Sequence, residues 1–200
     1  MKRAFDIAVA AFGLLLLSPL FLFAAILIKL DSHGPIFFRQ ERIGKGFRPF
    51  LIYKFRTMLE NAAQTGTAVT YGNDPRITRV GRLLRKTKID ELPQLINVLK
   101  GEMSLVGPRP EVPEFVNLFR RDFEEILTFR PGITDLASLN YHDESTLLGK
   151  SPDPRETYIR IILPDKIKLT KEYLQRSSFF FDITVIFKTL LRVLQRNILS

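Results

Sequence analysis

The sequence predicts an α+β fold: mostly helical, with one short β-hairpin and an apolar N-terminus. Three observations carry this. Apolar residues recur at helical spacing through much of the 200-residue chain. Two aromatic and β-branched runs, "PIFFRQ" and "PFLIYKFRTM", flank the glycines of "GKG". Residues 7–28 form one apolar run in which Ser18 is the only polar side chain.

Composition bounds the chemistry. Apolar residues make up 46% of the chain and charged residues 26%, a globular balance rather than a disordered one. Cysteine is absent, which excludes disulfides and thiolate metal sites. Two histidines, His33 and His142, leave little for a histidine-based zinc site. A metal here would be a hard cation held by oxygen, such as Mg2+. The net charge of +9 predicts an anionic partner: nucleic acid, an anionic membrane surface or a phosphorylated substrate.

The N-terminal run would reach about 33 Å as a straight helix, the thickness of a hydrocarbon core. It is too long for a signal peptide, and "SPL" is a poor cleavage site. Pro19 removes a backbone donor and predicts a bend, where Ser18 can satisfy a freed carbonyl. Basic residues flank both ends, Lys2 and Arg3 before, then Lys29, Arg39, Arg42, Lys45 and Arg48. The positive-inside rule therefore assigns no polarity. A re-entrant hairpin and a kinked transmembrane helix fit these facts equally well.

Downstream, the two strand-like runs predict a hairpin, and 61–73 reads as a loop. "DPRITRVGRLLRKT" predicts a basic helix opened by Asp74 and Pro75, with Ile77, Val80, Leu83 and Leu84 as its buried stripe. "DELPQLINVLKG" predicts a helix with Pro93 in its first turn, Leu92, Leu95, Ile96 and Leu99 on one face, and Gly101 as its stop. The prolines of "SLVGPRPEVP" argue against regular structure. "EVPEFVNLFRRDFEEILTF" reads as helix, "RPGITDLASLNY" as turn and strand, "SPDPRETY" as loop, and "YIRIILPDKIKLTKEYLQR" as mostly helix. Residues 179–198 predict an amphipathic helix. Phe180, Ile183, Phe187, Leu190, Leu191 and Leu194 form its apolar side, and Lys188, Arg192 and Arg196 its basic side. Such a helix either packs on a core or lies in a membrane interface.

The candidate chemistry centres on Asp90 and Glu91. A carboxylate at a helix start is favoured by free backbone donors, so a pair of capping acids is the bland reading. The cations around them change the weight: Arg79, Arg82, Arg85, Lys86 and Lys88 precede, Arg109 follows in "PRP", and "YKFRTM" adds Lys54 and Arg56. Such a cluster can be a solvated face or can grip phosphate. Nearby cations would keep Asp90 ionised. An ionised carboxylate in a phosphate site either attacks phosphorus or binds magnesium, and adjacent acids allow one of each. Phosphate-loop and dinucleotide fingerprints are absent, and Ser104 and Ser138 lack a triad context. Neither histidine is assigned a role.

In order along the chain, "KRAFDI", the Ser18-Pro19 break, "FRQERIGKG", "YKFRTM", "RITRVGRLLRKTKIDELPQLINVLKGEMSLVGPRP" and "RPGIT" resemble the bacterial sugar transferases, the small monotopic phosphoglycosyl transferases. The resemblance implies transfer of a sugar phosphate from a UDP-sugar to undecaprenyl phosphate, with release of UMP. It implies a covalent intermediate on Asp90, and Glu91 as a magnesium ligand. Lys54, Arg85 and Arg109 match positions associated with substrate phosphates, and Arg56 and Arg130 in the matched motifs are further substrate-binding candidates. It also implies a re-entrant membrane helix over 1–30, a catalytic domain over 31–200 on the cytoplasmic face of the bacterial membrane, and contact with anionic lipids; a homodimer is compatible with it. "PGITDLASLNYHDE" departs from the family's usual "PGITG" continuation, so sugar choice does not carry across residues 135–144. The length leaves no room for the added transmembrane bundle of larger relatives. Two other classes compete. A non-catalytic adaptor on anionic lipid explains the anchor and charge. Nucleic-acid binding explains the charge alone, and no nucleic-acid partner is expected.

Overall fold

The computed structural model describes residues 1–60, 62, 70–71, 74–141 and 144–198, with side chains to residue 195. Most of the expected 61–73 loop, His142 and the Arg196 side chain lie outside the described residues.

The expected bend is present. Helix α1 (Lys2–Leu16) and helix α2 (Ser18–Asp31) meet at Leu17 with a 60° change of direction. Ser18 donates its hydroxyl to the Leu15 carbonyl at 2.8 Å, satisfying an acceptor that the break frees. Among the described residues no single helix is long and apolar enough to cross a membrane; the bent pair together has the length and composition.

A two-stranded antiparallel hairpin follows, β1 (Phe37–Ile43) and β2 (Pro49–Phe55), as the aromatic runs predict. A basic helix α3 (Arg79–Lys86) comes next, later than expected: Thr78 caps it, accepting from Gly81 N at 3.0 Å. Asp74 instead bonds the Arg76 side chain at 2.6 and 2.9 Å. Leu83 is left exposed, because the helix turns Gly81 and Leu84 inward. Gly81 permits close docking. A Cβ there would sit 2.1 Å from the Thr57 carbonyl oxygen.

A 3-10 turn (Ile89–Glu91) leads into α4 (Gln94–Lys100), which Gly101 ends in the left-handed region at φ 85°. The buried face of α4 is Gln94, Leu95, Asn97 and Val98 rather than the expected stripe, and Leu99 is exposed. Asn97 explains the rotation. Its amide donates to Leu51 O (2.7 Å) and accepts from Tyr53 N (3.0 Å), covering the free edge of β2.

"SLV" forms strand β3 (Ser104–Val106), despite the prolines that follow it. It pairs in parallel with β4 (Gly132–Thr134). Between them run α5 (Pro113–Leu118) and α6 (Arg120–Ile126), separate helices broken at Phe119. The rest is α7 (Leu136–Asn140), α8 (Glu144–Gly149), α9 (Pro154–Thr157) where a loop was expected, a π-helical turn (Tyr158–Ile162), α10 (Leu163–Arg176) and α11 (Phe179–Ile198).

The N-terminal helix pair is built into the domain. Ala10 of α1 shares a core with Phe50, Ile52, Leu95, Val98, Met103 and Tyr173, and Gly13 brings α1 against Leu95. The α1 base is also latched by polar contacts. Asp6 accepts from Ser104 Oγ (2.8 Å) and Leu105 N (3.3 Å), and Lys2 Nζ reaches Asp182 at 2.5 Å. On α11, Val185 and Asp182 face inward, while every member of the predicted apolar side, from Phe180 (83% exposed) to Leu194 (59%), faces outward. That side is not covered by the core. The outer faces of α1 and α2 are alike: Phe12, Leu15, Leu22, Phe23 and Leu30 are exposed.

Candidate active site

Three segments converge at the start of α4. The first is the hairpin. Its register sets Phe38 opposite Lys54, Gln40 opposite Ile52 and Arg42 opposite Phe50. Period-two alternation therefore puts Gln40, Arg42 and Lys54 on the same face as the buried Phe50 and Ile52. The second is the acidic turn. Lys88 before it adopts φ 60°, an uncommon conformation for a residue with a Cβ, and this swings the chain into the 3-10 turn. Neither that turn nor α4 has a side-chain cap, so the bland capping role is not taken up and both carboxylates are free for other partners. The third is the "GPRP" loop. Gly107 and Gly132 cross so closely that a Cβ on Gly132 would lie 2.1 Å from Gly107 N. Gly132 N also donates to Pro108 O at 2.8 Å, fixing the residue before Arg109.

Glu91 is clamped. Its Oε1 accepts from Lys54 Nζ at 2.9 Å and Arg109 Nη2 at 2.7 Å, and its Oε2 lies 3.4 Å from Arg109 Nη1. Burial alone would raise its pKa, but Arg109, Lys54 and Lys88 outweigh it and hold Glu91 well below the usual carboxylate range. Glu91 in turn raises Arg109. Lys54 is lowered, because burial and the neighbouring Arg109 outweigh Glu91.

Asp90 behaves differently. It is 7% exposed, and its buried Oδ1 has no hydrogen-bond partner. Burial first and the Glu91 charge second raise its pKa, against the pull of Lys54, Lys88 and Arg85. The cations expected to favour its ionised form do pull its pKa down, but burial and Glu91 outweigh them. Lys54 is engaged by Glu91, and desolvation dominates.

Arg85 donates from Nε to Thr57 Oγ1 at 2.8 Å, and its charge acts on Asp90. Lys54, Arg85, Asp90, Glu91 and Arg109 are therefore together. Two other candidates are elsewhere. Arg56 donates from Nη2 to the Ser32 carbonyl (2.7 Å) and hydroxyl (2.9 Å), tying the end of α2 to the domain. Arg130 donates to Gly101 O at 3.1 Å, at the end of α4 remote from Asp90. The sequence reading passed over Arg42 and Thr57. The signal for Arg42 was its even spacing with Lys54 across a hairpin whose register was not yet fixed.

No group of three or more His, Asp or Glu that could hold a metal is found among the described residues. Magnesium commonly takes only one or two carboxylates and completes its shell with water and substrate phosphates. Two carboxylate oxygens retain capacity for that mode: Asp90 Oδ1, which is unpartnered, and Glu91 Oε2, which has only a long contact. The donor set fits the ion.

Comparison with known proteins gives concordant matches. Residues 1–196 match the family described as bacterial sugar transferase. The chain is 43% identical over 197 residues to a UDP-N-acetylgalactosamine-undecaprenyl-phosphate N-acetylgalactosaminephosphotransferase of Aeromonas hydrophila, covering 97% of this chain and 44% of the relative. It is 41% identical over 204 residues to an undecaprenyl-phosphate glucose phosphotransferase of Komagataeibacter xylinus, covering 98% and 36%. It is 40% identical over 205 residues to exopolysaccharide production protein PSS of Rhizobium leguminosarum bv. phaseoli, covering 98% and 96%. The chain spans less than half the length of the first two relatives and nearly all of the third. With a family match across almost its whole length, the chain belongs to the bacterial sugar transferase family.

Proposed function

We propose that this chain transfers a sugar 1-phosphate from a UDP-sugar to undecaprenyl phosphate, through a covalent intermediate on Asp90. The observation that carries the proposal is the unpartnered, buried Oδ1 of Asp90 beside a glutamate held by two cations. Buried polar atoms are nearly always paired, and an orphan at a family motif calls for a ligand. The undecaprenyl-phosphate acceptor and the sugar phosphate cargo follow the names of the relatives.

In the first step an Asp90 carboxylate oxygen attacks the sugar-side phosphorus of the donor. The bond from that phosphorus to the bridging oxygen breaks, and UMP leaves with the electron pair. In the second step a phosphate oxygen of undecaprenyl phosphate attacks the same phosphorus, the bond to Asp90 breaks, and the carboxylate is restored. Asp90 must be ionised to attack. Its raised pKa gives a more basic oxygen than an exposed aspartate would have, and burial keeps competing water from the acyl phosphate. Lys54 and Arg109 would offset the charge that builds on the phosphate of departing UMP, and Glu91 fixes both in place. Glu91, through Oε2, would hold magnesium. The bound ion would offset charge on the phosphate oxygens.

The lipid acceptor requires a site at a bilayer surface. The 60° bend of α1–α2 and the uncovered apolar side of α11 support a re-entrant anchor with α11 lying in the interface. An adaptor role would leave the Asp90 oxygen without a purpose. The test is a panel of UDP-sugars with undecaprenyl phosphate and magnesium, the full chain held in lipid nanodiscs, and UMP release as the readout. One donor releasing UMP supports the proposal; silence across the panel overturns it.

A further inference from the structure

We infer that Arg42 is a third cationic arm of the substrate site, binding a diphosphate alongside Lys54 and Arg109; this rests on the proposed function and extends it.

The argument starts from the hairpin. Arg42 and Lys54 share one face, and Arg42 stands at the end of that face where the "PRPE" segment crosses. The crossing is sewn together by two bonds: Ile43 N donates to Glu111 O at 3.0 Å, and Arg42 Nη1 to Pro110 O at 3.2 Å. Arg42 is thus bonded to the residue next to Arg109. Its Nη2 donates to Gln40 Oε1 at 2.7 Å, and its Nε is buried without a partner. The arginine fork is held but not filled.

Charge points the same way. The carboxylate near Arg42, Glu111, is 3.7 Å from Nη1, and Glu111 accepts a stronger bond from Tyr158 at 2.6 Å. The charges acting on Arg42 also include Arg109 and Glu91, so it lies in the field of the Glu91–Arg109 pair. Arg42, Lys54, Arg85 and Arg109 thus lie in one neighbourhood with Glu91. Burial lowers Arg42, as expected for a cation shut in without a full counter-charge. A cluster of buried like charges is costly unless an anion joins it, and arginine's planar fork suits phosphate oxygens.

A structural reading competes: Arg42 could serve only as the counter-ion of Glu111. The two readings separate in a double variant. Inorganic pyrophosphate is titrated by calorimetry into the full chain in nanodiscs, as wild type, Arg42→Gln, Glu111→Gln and Arg42→Gln/Glu111→Gln. Arg39→Gln, on the other hairpin face, is the control. The inference predicts that pyrophosphate binding weakens about 10- to 100-fold in both variants lacking Arg42. Glu111→Gln and Arg39→Gln should stay within about threefold of wild type. Arg42→Lys, which keeps the charge and loses the fork, should fall between, and it carries the test if Arg42→Gln does not fold. Return of wild-type affinity in the double variant, or unchanged affinity in Arg42→Lys and Arg42→Gln, overturns the inference. Such a result would leave UMP release by the wild type untouched, so the two failures are distinct.

Discussion

Two regions of this protein bury aspartates to the same depth and treat them in opposite ways. At the base of α1, Asp6 is 3% exposed and Asp182 is 5% exposed; in the acidic turn, Asp90 is 7% exposed. Both oxygens of Asp6 are satisfied, by Ser104 and Leu105 N. Both oxygens of Asp182 are satisfied, by Lys2 and by the Tyr173 hydroxyl at 2.6 Å. Asp90 has an oxygen with nothing to bond. Burial therefore does not separate structural from chemical carboxylates in this fold; satisfaction does. The latch around α1 is satisfied within the protein, while the acidic turn keeps one carboxylate oxygen unpaired.

The largest expected effect breaks the chemical side of that contrast. Asp90→Asn should lower UMP release at least about a thousandfold. It should leave the unfolding midpoint unchanged or higher, since it removes a carboxylate that folding desolvates without pairing. Retained turnover would show that the orphan oxygen is not the nucleophile.

Asp182→Ala tests the structural side. It leaves the buried Tyr173 hydroxyl without its acceptor and Lys2, which is partly exposed, without its counter-ion. We expect a loss of about 2–3 kcal/mol in urea unfolding, most of it from Tyr173. An unchanged midpoint would show that the latch is decorative.

Titration sharpens the contrast between the two acids of the turn. Asp90 is raised from its ordinary 3.8, so it favours the fold below that pH and withdraws the contribution as pH rises through its own higher value. Glu91 is depressed from 4.5, so its contribution is present above that pH and is lost as pH falls through its lower value. Turnover needs ionised Asp90 and should rise with pH across a midpoint above 3.8. A pH–rate profile with its acid midpoint below that value would contradict the desolvation account.

The smallest effect concerns cations outside the cluster. Arg130→Gln should change pyrophosphate affinity by less than about twofold, because its guanidinium engages Gly101 O at the far end of α4. A larger loss, seen by calorimetry, would extend the site beyond the hairpin face.

Much of this was legible in the sequence, and the gaps have physical causes. Ser18-Pro19 announced the break, Gly101 the end of α4, and the alternating aromatic runs the hairpin, because each acts through local backbone geometry. Asp90, Glu91, Lys54, Arg85 and Arg109 were readable as one cluster through the motifs around them. Arg42 was not, since its membership depends on strand register, which a sequence does not state. The direction of the Asp90 shift was not readable from the cation count, because Glu91 engages Lys54 and Arg109 and desolvation prevails at its neighbour. The inward face of α4 was misassigned because Asn97, a polar residue, docks against the edge of β2.

The most direct measurement is peptide mapping by mass spectrometry after the full chain is incubated with its UDP-sugar and magnesium, without acceptor. The account predicts a sugar-phosphate mass increment on the peptide bearing Asp90, absent in Asp90→Asn and lost when undecaprenyl phosphate is added. An increment on another residue, or stoichiometric UMP release with no increment at all, would contradict it.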